Sequence, residues 1–208
     1  MWNTGFVLPG LLVFGILLVY FFVRPRLPNR INRAFMILII TDIATIVLDY
    51  IATQADNHYQ LLPVPLVSAL NLVYFAAYFM RILAFFWLVP VLLKADRPGF
   101  SRFKLLTGSV FLAAEAIVLS SPFTGAVYTV DNAGYHRGPL YDILPICAFF
   151  YLALGLGMLI HGRKRLRKGT LISALAYHAI LATGNIVRRA SSQSASSVPA
   201  SAKLPPRR

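Results

Sequence analysis

Six apolar runs separated by short polar connections set the pattern of the chain: Gly5–Val23, Ala34–Ala52, Leu66–Pro90, Phe103–Ser120, Pro139–Ile160 and Thr170–Val187. Each is close to the roughly 20 residues that a helix needs to cross the hydrocarbon core of a bilayer. Peptide groups inside such a run find no water, so they must be satisfied within helices or closed barrel strands. Barrel strands are about 10 residues long and alternate in polarity; these runs are longer and apolar on most sides. The pattern predicts an all-α, polytopic transmembrane helical bundle of six spans over residues 1–187. Aromatic residues near the span ends, such as Trp2, Tyr20, Phe21 and Phe22, and Phe85, Phe86 and Trp87 on the third span, fit interfacial anchoring. Residues 188–208 are rich in Ser, Ala and Pro with almost no large apolar side chain, and are expected to be disordered.

Composition sharpens this picture. At 58% hydrophobic and 13% charged residues, the chain departs from the roughly 45–50% and 25% of soluble domains, which excludes an ordinary water-soluble globule. The formal net charge of +13 would point to nucleic acid in a soluble protein. Here the cations cluster between the apolar runs, as in cytoplasmic loops that face anionic headgroups, so the expected partner is the lipid bilayer and not nucleic acid. The first loop carries Arg24, Arg26, Arg30 and Arg33, the third Lys94, Arg97, Arg102 and Lys104, and the fifth Arg163, Lys164, Arg165, Arg167 and Lys168. The second loop has none and the fourth only Arg137, which places the N-terminus outside a multi-pass cell membrane protein. The tail breaks the rule: Arg188, Arg189, Lys203, Arg207 and Arg208 fall outside if the sixth run crosses. Met1–Thr4 has no Lys or Arg and no small-residue cleavage site follows, so the first run is expected to be a retained anchor.

Charged groups at bilayer depth cost at least about 2.5–3.5 kcal/mol each on insertion scales and therefore face the bundle interior. Asp42 and Asp49 lie on the second span, Arg81 on the third, Glu115 on the fourth and His178 on the sixth. At about 1.5 Å per residue, Asp42, Arg81, Glu115 and Asp49 stand roughly 12, 14, 18 and 22 Å from the cytoplasmic end. Arg81 is thus level with Asp42 and within reach of Glu115. On the third span Asn71, Tyr74, Tyr78 and Arg81 share one face. This polar stripe has three readings: a ligand pocket or switch, an ion pair that fixes helix order, or an ion path through surplus carboxyls.

Other chemistry finds little support. Cys147 is the single cysteine, so there is no intramolecular disulfide and no multi-cysteine metal site. His178 has no second ligand at similar depth, and His58, His136 and His161 fall in or beside loops, so neither a haem nor a metal is expected. No nucleophile elbow, phosphate loop or H-E-x-x-H motif occurs, so no catalytic residue and no cofactor is assigned.

The fourth loop, "SSPFTGAVYTVDNAGYHRGPLYDILP", holds a turn at Pro122–Gly125, a β-prone run, a second turn at "DNAG", and then Tyr135, His136 and Arg137 before Pro139 opens the fifth helix. Arg137 is expected to hold a carboxylate, a carbonyl or an anionic ligand, since a cation before a helix N-terminus does not complement the dipole. With the upstream "NLVYFAAYFMRILAFFWLVPVL" and the downstream "FFYLALGL", this loop resembles the multi-span N-terminal membrane region of bacterial diguanylate cyclase-type signalling proteins. The resemblance implies a sensory input module placed ahead of a cytoplasmic GGDEF domain that makes cyclic di-GMP. No GGDEF sequence occurs in these 208 residues. The expectation is an input region cut short before its output domain and before a seventh span, acting through a homodimer or a separate partner. Tyr135, His136, Arg137, Asn71, Tyr74 and Tyr78 are candidates for an unknown small ligand; Arg81, Asp42, Glu115 and Asp49 are candidates for the intramembrane ion pair. The competing reading is a small transporter or channel that uses those carboxylates.

Overall fold

A computed structural model describes residues 7–23, 30–93, 99–172, 174–179 and 182–183. The expected disordered tail, 188–208, lies outside the described residues. The chain divides after Leu166 into two units, a boundary that falls inside the expected 1–187 domain.

The first unit holds five helices: α1 (Val7–Val23), α2 (Arg30–Asn57), α3 (Val64–Leu92), α4 (Gly99–Thr124) and α5 (Ile143–Gly162). Helices α2 to α5 each contain a stretch long and apolar enough to cross a membrane, and α1 is a shorter apolar helix. In the second unit, 168–172, 174–179 and 182–183 are helical.

Two boundaries differ from the sequence pattern. Helix α2 runs to Asn57 instead of ending near Ala52, because Gln54–Asn57 contains no helix breaker and Asp56 finds a partner on α3. Helix α5 begins at Ile143, not Pro139. Before it, the Gly138 N–H donates to the Val127 carbonyl and the Leu140 N–H to the Ala126 carbonyl, so this stretch prolongs the preceding hairpin and Pro139 stands in a turn.

Helix α3 is central because two of its faces are occupied. Pro65 in its first turn loses no hydrogen bond. One face carries Phe75, Phe79, Ile82 and Phe86, all buried. Phe79 meets Phe111 of α4 edge-on at 6.3 Å, and Phe86 meets Tyr151 of α5 at 5.2 Å. The Tyr151 hydroxyl then donates to the Thr107 carbonyl at 2.6 Å, tying α5 to α4 within the core. The adjoining face of α3 carries the polar stripe and packs on α2 across the short 3-10 turn Tyr59–Leu61. Short connections favour such antiparallel neighbours.

Strands β1 (Tyr128–Asp131) and β2 (Gly134–Arg137) pair antiparallel as a hairpin, with Tyr128 opposite Arg137. Gly134 adopts a φ of +113°, a conformation glycine tolerates, and a Cβ there would stand only 3.3 Å from the Tyr59 ring. The hairpin therefore sits at the end of the bundle where α2 joins α3. At the other end Gly162 lies against Leu93, bringing the ends of α3 and α5 together beside the cationic turn Arg163–Arg165.

Candidate functional site

Three contacts fix the register of α2 against α3. Arg81 Nε lies 3.8 Å from Asp42 Oδ1, the Thr45 hydroxyl donates to the Ala77 carbonyl at 3.2 Å, and Asn71 Nδ2 donates to Asp56 Oδ1 at 2.7 Å. Asp42 is all but inaccessible and Asn71 is buried. The Arg81 guanidinium also lies 5.1 Å from the centroid of the Tyr78 ring, where a cation is attracted to the aromatic face. Tyr74 and Tyr78 are buried on the same stripe. Asp49 is half-buried between the levels of Asp42 and Asp56.

The structure thus brings Asp42 to Arg81 but does not bring Glu115 there. On α4 the residues buried toward the core are Phe111, Ala114 and Val118, and Glu115 stands at the edge of that stripe. Its Oε2 is buried and has no hydrogen-bond partner among the described residues.

Asp56 was not expected in this set, since its segment reads as a loop. The available signal is spacing: Asp42, Asp49 and Asp56 recur every seven residues, close to two helical turns, and so keep to one face.

At the hairpin end, Ser121 in the last turn of α4 organises the fold. Its Oγ accepts from the N–H of Val127 at 3.0 Å and of Tyr128 at 2.9 Å, and donates to the Tyr128 carbonyl at 3.1 Å. Tyr128 is fully buried, and its hydroxyl donates to the Ser68 carbonyl of α3 at 2.9 Å. Burial pushes that hydroxyl up to about 12 from its usual 10. Sequence reasoning missed both residues: a serine before a proline and a tyrosine in a short strand carry no distinguishing pattern. Gly138 is required here because a Cβ would collide with the Gly125 and Ala126 carbonyls.

The expected outer residues share β2 but do different things. Tyr135 stacks on Tyr128, with centroids 6.0 Å apart. His136 is exposed, its Nε2 3.2 Å from Asp131 Oδ1. The exposed Arg137 places its guanidinium 4.7 Å from the centroid of the Tyr141 ring. Asp131 also accepts from the Ala133 N–H at 2.7 Å; this bond, with His136 alongside, holds its carboxyl below the usual carboxylate range. Asn71, Tyr74 and Tyr78 lie on the face of α3 that meets α2, with Tyr135 packed against the same core that holds Tyr74 and Tyr78.

His178 is buried in the second unit, its Nδ1 2.8 Å from the Ala174 carbonyl. Among the described residues no three His, Cys, Asp or Glu side chains gather as a metal site. Comparison with protein-family models, curated proteins and solved structures finds no match.

Proposed function

We propose that the chain is a six-span sensory input module of a cell membrane signalling protein, with its hairpin end and N-terminus outside and its cationic end in the cytoplasm. The resemblance to input regions of diguanylate cyclase-type proteins supports this reading, with output delivered by a separate partner or domain. The observation that carries it is mechanical continuity. Tyr128 fastens the hairpin to Ser68 of α3, and the same helix holds Arg81 against Asp42 deeper in the bundle. A stimulus that lifts or presses the hairpin acts on α3 directly. The buried ion pair then provides two discrete arrangements, paired and parted, for that displacement to select between.

The test joins the full-length chain, through one added transmembrane helix, to a diguanylate cyclase catalytic domain. Arg81→Ala and Ser121→Ala are expected to change cyclic di-GMP output at least threefold at equal membrane expression. Output indifferent to both substitutions overturns the reading.

A second reading, a small transporter or channel, draws on the buried Glu115 Oε2, a carboxyl oxygen with no partner among the described residues. It requires ion flux in proteoliposomes that Glu115→Gln abolishes. Flux that survives Glu115→Gln and Asp49→Asn removes it.

A further inference from the structure

We infer that the groove between α3, α4 and β1 at the hairpin end is a binding site for the acyl chain of a membrane glycerolipid. The cavity has a volume of about 630 Å³ and is walled by Val64, Pro65, Ser68, Ala69 and Leu72 of α3, by the end of α4 from Pro122 to Thr124 with Gly125, and by Thr129 and Val130 of β1. That volume lies within the roughly 300–1,000 Å³ of ordinary ligand pockets.

The lining selects the chemistry. No charged side chain borders the groove; burying an ionised group there would leave it without a counter-charge. Arg137, the cation expected to meet an anionic ligand, lies over Tyr141 and does not border the groove. Most of the wall is aliphatic, aromatic or proline, which suits a neutral hydrocarbon chain. Ser68 and Thr129 add hydroxyls suited to an ester at the chain's head, whereas the Thr124 hydroxyl already donates to the Ser120 carbonyl.

The setting selects the source. Phe123, which borders the groove, is 92% exposed. Large apolar side chains that stand free at the end of bilayer-length helices face lipid, so a chain enters sideways from the leaflet. The site is also placed to be read. Ser68 both lines the groove and accepts the Tyr128 hydroxyl that fastens the hairpin, so a chain seated there presses on the same joint.

The inference deepens the sensory reading by naming the ligand class of its outer site, and its test needs no signalling output. The full-length protein is placed in phosphatidylcholine nanodiscs doped with a phosphatidylcholine that carries a diazirine near the acyl end. A parallel sample carries a diazirine-bearing long-chain alcohol. After photolysis, labelled peptides are mapped.

The lipid probe is expected to label residues 64–72 and 122–130 at least fivefold above the exposed face of α1 at Leu12 and Ile16. Ala69→Trp, which fills the groove from α3, and Thr129→Trp, which fills it from the hairpin, should each cut that labelling at least fivefold. Ala113→Trp, on the exposed side of α4, should leave it unchanged. Labelling no greater than on α1, labelling indifferent to both filling substitutions, or labelling by the alcohol alone overturns the inference. Loss of labelling with the cyclic di-GMP reporter still responsive to Arg81→Ala would sink the groove and spare the sensory reading.

Discussion

Arg81 and Asp42 meet across the α2–α3 interface with Nε 3.8 Å from Oδ1, and the aspartate side chain is 2% exposed. Removing one partner strands the other charge in a poorly solvated place, which costs about 3–5 kcal/mol where such pairs are fully buried. Arg81 keeps 20% of its side-chain exposure, so the lower part of that range is expected. Thermal unfolding in detergent should show Arg81→Ala and Asp42→Ala each destabilising and the double variant less damaged than their sum. A full additive loss would show that the two side chains are not coupled.

Ser121→Ala removes the acceptor for two buried N–H groups at once. An unsatisfied buried donor costs about 1–3 kcal/mol. Hydrogen exchange should therefore rise at least tenfold at the Val127 and Tyr128 amides while the middle of α2 is unchanged. Unaltered exchange at both amides would show that the hairpin does not depend on this hydroxyl.

Tyr128→Phe deletes the bond to Ser68 and leaves the ring in place, at a cost of about 1 kcal/mol. In the native protein the Tyr128 hydroxyl should ionise only as the pH approaches about 12. Because its folded value lies above the unfolded value of 10, its contribution to stability is complete below pH 10 and declines as the pH rises toward the folded value. Ultraviolet titration of native and Tyr128→Phe protein reports this: the difference between the two should lack a phenolate step near pH 10.

Asp131 works in the opposite direction. Its folded value is held below the usual 3.8, so its support of the turn is complete above that pH and fades as acid takes the pH through the lower folded value. With His136→Ala removing the imidazole 3.2 Å from the carboxylate, the Ala133 amide resonance should stay constant from pH 8 to pH 5 and shift in stronger acid. Asp131→Asn, which keeps the turn geometry without the charge, should abolish the shift; an equal shift in that variant would assign it to another group.

Gly138→Ala sets a methyl against two carbonyls of the 125–126 backbone. The hairpin cannot yield there without breaking the Gly138 and Leu140 bonds to Val127 and Ala126. Destabilisation of about 2–4 kcal/mol is expected, as for overpacking joined to lost hydrogen bonds. Calorimetry that shows less than about 1 kcal/mol would place the clash elsewhere.

Much of this architecture is legible in the residues alone. Runs of apolar side chains announce α2 to α5, since length and hydropathy are properties of each segment by itself. The polar face of α3 is legible for the same reason, through the spacing of Asn71, Tyr74, Tyr78 and Arg81. "AVYTV" followed by "DNAG" marks the hairpin by its β-branched residues and its turn. What escapes is what depends on partners. Asp56 reads as loop because its place in α2 is supported by Asn71, fifteen residues away. Ser121 and Tyr128 act through backbone groups that any residue possesses, so no side-chain pattern reveals them. Glu115 illustrates the converse: equal depth suggested a meeting with Arg81, but depth leaves out the angular position around α4, which the packing of Phe111, Ala114 and Val118 decides.

The three aspartates of α2 carry a geometric consequence. Seven residues fall about 20° short of two full turns, so side chains repeated at that interval drift slowly around their helix in a left-handed sense. A neighbour that keeps company with each of them must wind with the drift, as a nut follows a thread. Asp56 and Asp42, about 21 Å apart along α2, therefore stand about 40° apart around it, and α3, which meets one through Asn71 and the other through Arg81, follows that turn.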